Sequence, residues 1–176
     1  METYQSLKNK YAALAQQLSQ RDSQIGSLRL LTVLLALGCV WWGIKNEQSV
    51  YYLAALLLAV IFIFLMQYHQ KIRWSRRIHE ALTTINDQEV QHLEGKEVPF
   101  ENGQEFQPEH HAYAYDLDIL GEKSLFRHLN RTGTYIGKKQ LAQLLLSPLT
   151  AAQILENQEA VQELSGKLNW RQHLLA

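Results

Sequence analysis

The sequence predicts a mainly α-helical chain: an N-terminal heptad helix, a two-span transmembrane helical hairpin, then a small β-hairpin and a cytosolic helical bundle. Three observations predict it. Two apolar runs, residues 30–44 and 50–66, carry no charge and lie five residues apart. Apolar residues at alternating three- and four-residue spacing precede them. A succession of helix caps and stops follows them.

Residues 1–29 read as an amphipathic helix with the seam Tyr4, Leu7, Tyr11, Leu14, Leu18, Arg21, Ile25 and Leu28, in which seven of eight positions are apolar. No proline or turn cluster separates this helix from the first run, so it is expected to continue into it. The seam suits a short coiled coil, either between protomers or folded back on residues 70–94 of the same chain. An amphipathic helix lying on a membrane is the alternative, but few basic residues line its polar face.

Residues 30–68 form the hairpin. The runs hold 15 and 17 residues, about 22 and 26 Å as helices. That falls slightly short of a hydrocarbon core of about 30 Å, a mismatch that snorkelling and local thinning absorb. Trp41 and Trp42 end the first run and Tyr51 and Tyr52 begin the second, marking one interface, while Tyr68 and Trp74 mark the other. A buried hairpin of a soluble bundle would need a polar face on each helix, and neither run has one. Arg21 and Arg29 precede the first span; Lys71, Arg73, Arg76 and Arg77 follow the second with no acid among residues 67–79. The excess of positive charge predicts that both termini are cytoplasmic. No small-x-small site follows the first run, so a cleaved signal peptide is not expected.

A juxtamembrane helix is expected over 69–97, carried by Ile72, Ile78, Leu82, Ile85 and Leu93 and ended by Gly95. Residues 98–123 read as a linker, and Asn102-Gly103, between Val98 and Phe106, predicts the small β-hairpin. Residues 124–176 are helical again. Ser124 caps a short helix through Leu129, and Thr132 or Thr134 caps the next, which stops before Pro148. Thr150 and Gln153 make a capping box for a helix over 151–165 closed by Gly166. Asn169 is expected to cap a last helix from Trp170. Its apolar face begins as the sequence stops, which suggests a fragment of a longer chain. Leu125, Phe126 and Leu129, then Ile136, Leu141, Leu144 and Leu145, then Ile154, Leu155, Val161 and Leu164 are expected to meet as three faces of one core.

The net charge of zero conceals segregation. Residues 80–122 hold eleven acids against the single base Lys96, and residues 123–139 hold Lys123, Arg127, Arg131, Lys138 and Lys139 with no acid. These five are the candidate phosphate contacts, although such a run is more often a solvated face. Other motifs fail. Between Gly133 and Gly137 stand three residues where a phosphate loop has four, and Lys139 stands where that loop needs Ser or Thr. Asp116, Asp118 and Gly121 suggest a calcium loop, but Leu120 and Arg127 occupy ligand positions. His110 and His111 are adjacent and diverge in extended chain. Cys39 is alone, inside the first run, and cannot belong to a disulfide or a cysteine zinc site. No catalytic residue, cofactor site or metal site is expected in this chain.

One long stretch is more specific: His111-Ala-Tyr-Ala-Tyr-Asp-Leu-Asp-Ile-Leu-Gly-Glu-Lys-Ser-Leu-Phe-Arg-His-Leu-Asn-Arg-Thr132, then Gly133 to Pro148-Leu149, then Ile154-Leu-Glu-Asn-Gln-Glu-Ala-Val-Gln-Glu-Leu164 and Trp170-Arg171. It resembles the start of the helical core domain of the DNA mismatch repair MutS family, over residues 85–176. Ser124, Leu125, Phe126, Asn130, Arg131, Thr132, Gly137 and Pro148 carry the motif. The chain looks most like bacterial MutS-like proteins with membrane spans ahead of this domain. The resemblance implies an ATPase domain, with ATP and magnesium, further along a longer chain, and the bacterial inner membrane as the location. Two features depart from the family: no Phe-x-Glu mismatch wedge occurs, and Asn157 replaces the usual arginine of the Arg-Gln pair. The function expected is therefore a membrane anchor and the beginning of the core of a MutS-like, ATP-dependent protein. Its expected partners are the lipid bilayer and a second copy of the chain, with DNA as a possible ligand. The alternative is a non-enzymatic membrane scaffold recruiting partners through its coiled coil and bundle.

Overall fold

The computed structural model describes residues 1–97 and 99–176. The chain divides into two compact units, Met1–Val90 and Gln91–Ala176.

The first unit is built from two 45-residue helices, α1 (Glu2–Asn46) and α2 (Ser49–Leu93), the second of which runs a few residues into the next unit. The first proline of the sequence is Pro99, so nothing interrupts either helix. Glu47, in the left-handed region at φ 52°, ends α1 and reverses the chain. Gly43 permits the close return: a Cβ there would lie 3.2 Å from that of Tyr51 and 3.3 Å from the ring of Tyr52.

The covered side of α1 follows one 3-4 seam through Tyr4, Tyr11, Leu18, Asp22, Ile25, Arg29, Thr32, Ala36, Cys39 and Gly43. In α2 the matching seam is Tyr51, Ala55, Leu58, Phe62, Leu65, His69, Ile72, Arg76, His79, Asn86 and Val90. The heptad helix folds back on its own chain: Tyr11 meets His79 with ring centroids 6.0 Å apart, and Lys8 Nζ lies 2.6 Å from Asp87. The seam expected from sequence is correct to Leu18 and again at Ile25, but its alternate positions beyond Leu18 shift by one residue. Asp22 and Arg29 occupy it, while Arg21 and Leu28 are exposed. Two helices are long and apolar enough to cross a membrane, and their most apolar windows are almost wholly uncovered.

The second unit opens where α2 stops. Lys96 N–H donates to Gln91 O and Gly95 N–H to His92 O, both at 3.0 Å, with Gly95 at φ 74°. This paired pattern closes a helix through a left-handed glycine. The expected β-hairpin is absent: no strand occurs among the described residues, and Val98, its first residue, lies outside them. The Asn102-Gly103 pair makes a different turn. Asn102 Oδ1 accepts from Gln104 N–H at 3.1 Å, Gly103 takes φ 69°, and a single 3-10 turn follows over Gln104–Phe106. Two physical reasons stand out. Pro99 and Pro108 flank the turn and have no N–H to give a ladder. Phe106 turns toward Phe126, centroids 6.4 Å apart, where a paired strand would not take it.

The core of this unit is Ala114, Ile119, Leu120, Phe126 and Ala142, with Phe106, Tyr113, Leu141, Leu145 and Leu146 packed against it. Two helices contribute to it, α3 (Leu125–Leu129) and α4 (Tyr135–Leu146), and α5 (Ala151–Ser165) and α6 (Leu168–Leu175) follow them in the chain. The caps follow the sequence pattern. Ser124 Oγ accepts from Arg127 N–H, Thr134 Oγ1 from Gly137 N–H, and Thr150 with Gln153 forms a reciprocal capping box. The last helix departs from expectation, starting at Leu168 after Lys167 rather than after Asn169. The three expected faces do not converge. Ile136 is 80% exposed, and Leu155 and Val161 are exposed on α5. Their place is taken by the segment 106–120, whose aromatic and aliphatic side chains fill the core from a loop.

Candidate functional site

The first site is a buried ionic layer in the α1–α2 hairpin. Asp22 is only 13% exposed, and three basic side chains of α2 converge on it: His69 Nε2 at 3.2 Å, and the guanidinium cations of Arg73, Nε at 3.5 Å, and Arg76, Nη1 at 3.1 Å. Arg76 continues the chain of charges to Glu80, 3.2 Å from its Nε. The layer lies just beyond the end of the apolar run 50–66. One step closer to that run, Arg29 lies over the Phe62 ring at 5.2 Å, a contact that offsets part of its desolvation. Sequence reasoning counted Arg73 and Arg76 only as flanking charge and passed over Asp22 and His69. The signal that finds them is periodicity: Asp22 is four residues after Leu18 and His69 three before Ile72, so both fall on the seam. Chemically the layer is a register lock, because sliding either helix by one turn would separate one carboxylate from two guanidinium cations and an imidazole.

The second site gathers the sequence-predicted residues of the other unit. Ser124 and Asn130 are buried, Phe126 is fully enclosed, and Leu125 is exposed. Asn130 ties a junction: its Nδ2 donates to Glu101 O at 3.3 Å, while its Oδ1 accepts from Thr132 N–H at 3.1 Å and Thr132 Oγ1 at 2.7 Å. Arg131 lays its guanidinium 3.8 Å from the Phe100 ring centroid and donates to the carbonyls of His128 and Asn130. Gly137 stands against Thr132 and Thr134, whose atoms a Cβ would approach to 3.3 and 3.2 Å. Pro148 follows the end of α4 in exposed chain.

The five candidate phosphate contacts are not gathered on one face. Arg127 pairs with Glu122 at 2.6 Å. Lys138 pairs with Glu101 and lies 3.5 Å from Glu105. The hydrogen bond that the Lys138 ammonium donates to Glu101 holds it above the usual lysine range. Arg131 is spent on Phe100. Lys123 and Lys139 are exposed. Lys123 and Arg127 border a cavity of about 290 Å³ with His92, His128, Lys96 and Phe100, where the two imidazole centroids stand 4.5 Å apart. Glu97 and Glu122 share its wall, so its charge is mixed rather than cationic.

The remaining histidine motif has a structural role. His111 Nδ1 accepts from Ala114 N–H at 3.2 Å, which leaves Nε2 to donate to Leu146 O at 2.9 Å. Tyr113 Oη donates to the same carbonyl at 2.8 Å, so the pair closes the C-terminus of α4. Among the described residues no group of three or more His, Cys, Asp or Glu could hold a metal ion. No family model, curated protein or solved structure matches this chain.

Proposed function

We propose that this chain is the membrane anchor and the first part of the cytosolic core of a MutS-like protein. The observation that carries the anchor is the partition of side chains in the hairpin. Large apolar groups, among them Leu30, Leu34, Leu37, Leu53, Leu57 and Phe64, are exposed, while Thr32, Ala36, Cys39 and Gly43 line the inside. A water-soluble hairpin is built the other way round. Small residues on the α1 side of the contact, packed against Ala55, Leu58, Phe62 and Leu65 of α2, with large apolar residues outside, are what a lipid solvent favours. In this reading both termini are cytoplasmic, the turn around Glu47 is outside, and the membrane is the bacterial inner membrane.

The family part of the proposal comes from the ordered segment 111–171, with ATP and magnesium bound by a domain that would follow it. The exposed apolar side chains of α5 and α6, Leu155, Val161, Trp170 and Leu174, would be covered by later helices of that core. Sequencing the reading frame past Ala176 tests this. A phosphate loop with lysine and Ser/Thr within a few hundred residues is the expected result, and an open frame of that length without one overturns the family reading.

The same α5 face favours a second reading, a scaffold in which partners or a second copy pack on Leu155 and Val161. The α1 seam is unavailable for that purpose because α2 occupies it. Crosslinking through α5 in native membranes separates the readings: a nucleotide effect favours the first, and nucleotide-independent crosslinks to another chain favour the second. DNA binding, the third possibility, would show as salt-dependent retardation by the protein.

A further inference from the structure

We infer that the outward face of α2 immediately beyond the apolar run, formed by Lys71, Trp74 and Arg77, is a binding site for anionic phospholipid headgroups. The inference depends on the membrane reading above and deepens it. Seam residues His69, Ile72 and Arg76 are covered by α1. At 100° per residue, Trp74 stands opposite that seam, with Lys71 and Arg77 to either side of it. Trp74 is 66% exposed, and Lys71 and Arg77 are exposed.

Charge makes the face selective. The nearby acid on α1, Asp22, is turned inward and held by His69, Arg73 and Arg76. Among the described residues Lys71 and Arg77 make no ion pair, so their charges face outward uncompensated. At the corresponding level of α1 the side away from α2 carries Gln16, Gln20, Gln24 and Ser27, and Arg21 is the one exposed charge over residues 16–28.

Direction adds to charge. Side chains on a helix lean toward its N-terminus, and the N-terminal half of α2 is the membrane half. Lys71, Trp74 and Arg77 therefore lean back toward the bilayer, whereas the side chains of α1 lean away from it. Lys71 lies five residues past Met66, about 7.5 Å along the axis, which is the depth of the headgroup layer. Arg77 lies about 16 Å past Met66 and reaches back along its own stem. An indole at that level adds an amphipathic ring suited to the same layer.

The test uses the whole 176-residue chain in phosphatidylcholine bilayers carrying trace spin-labelled phosphatidylglycerol or spin-labelled phosphatidylcholine. The fraction of motionally restricted label is read by electron paramagnetic resonance. The expected result is preference for phosphatidylglycerol on the order of tenfold at low salt, as two cations near the surface give. K71Q/R77Q should reduce that preference to near unity, while K71R/R77K should keep it, both with unchanged helical circular dichroism. Equal restriction of the two labels by the parent chain, or full preference retained in K71Q/R77Q, overturns the inference. Competition by inorganic phosphate at constant ionic strength also overturns it, because the site would then read a free anion. Absence of restricted label of either kind overturns the membrane reading itself and this inference with it.

Discussion

Asp22 shows how much one side chain decides in this molecule. Among the described residues it is the one carboxylate that reaches His69, Arg73 and Arg76 together, and its removal leaves the two arginines facing one another beside the imidazole. Asp22→Asn is expected to destabilise the hairpin by about 2–3 kcal/mol, below the full cost of breaking a buried pair because Arg73 is 59% exposed. Thermal unfolding in detergent micelles, followed by helical circular dichroism, measures this. In the second unit Phe126 has the corresponding weight, being fully enclosed. Phe126→Ala should cost about 3–5 kcal/mol in chemical unfolding. Gly103→Ala should also be destabilising, because its backbone is at φ 69° and the new Cβ would sit 2.7 Å from the Phe126 ring. A wild-type midpoint for that variant would show that the turn does not pack under Phe126.

Among the helices, α5 stands on local interactions, since its side chains are exposed throughout. Its capping box and its ion pair should therefore dominate its stability. Thr150→Ala is expected to lower helix stability by about 1 kcal/mol, read from Cα chemical shifts across 151–165. Lys167, 2.5 Å from Glu163, holds that carboxyl below the usual glutamate range. A depressed carboxyl stabilises above its unfolded pKa and stops doing so as pH falls through its folded value. Acidification below the ordinary glutamate range should thus loosen the last turns of α5. Glu163→Gln should abolish that acid-dependent part of the shift change. The pair at Lys138 has the opposite sign: its raised ammonium supports the 101–105 turn at neutral pH and loses that support only above the ordinary lysine range.

For the whole molecule, the decisive prediction is topological. With Cys39 replaced by serine, a cysteine at Gln48 should react with an impermeant maleimide from outside intact cells, and cysteines at Gln5 and Gln158 should react only after lysis. Labelling of all three in intact cells, or of none after lysis, would mean that the hairpin does not cross the bilayer. Gly43→Leu offers a second measure, because the added side chain meets Tyr51 and Tyr52. It should splay the turn end and reduce reconstitution yield.

Much of this architecture was legible because it is local. Uncharged runs, caps such as Ser124 and Thr150, and breakers such as Gly95 and Pro148 act within a few residues of themselves. Spacing and composition therefore reveal α1, α2 and the ends of α4 and α5. Periodicity also carried the heptad to Leu18, but not the slip that replaces Arg21 by Asp22. A strict seven-residue count drifts against 3.6 residues per turn, and only the partner helix reveals which phase is covered.

What needed the tertiary structure was everything that depends on a distant partner. Asn102-Gly103 has the residues of a strand reversal, but Phe126, more than twenty positions on, captures Phe106 and draws the turn into a core. Asn130 reaches back to Glu101, and the acids at 101 and 122 neutralise cations that the linear charge pattern leaves apparently free. Sequence alone determines where this chain can be helical and which of its helices are long and apolar enough to cross a membrane. Contacts between residues remote in the chain decide which side chains that helical chain buries, because burial and pairing are properties of two surfaces and neither is written in one segment.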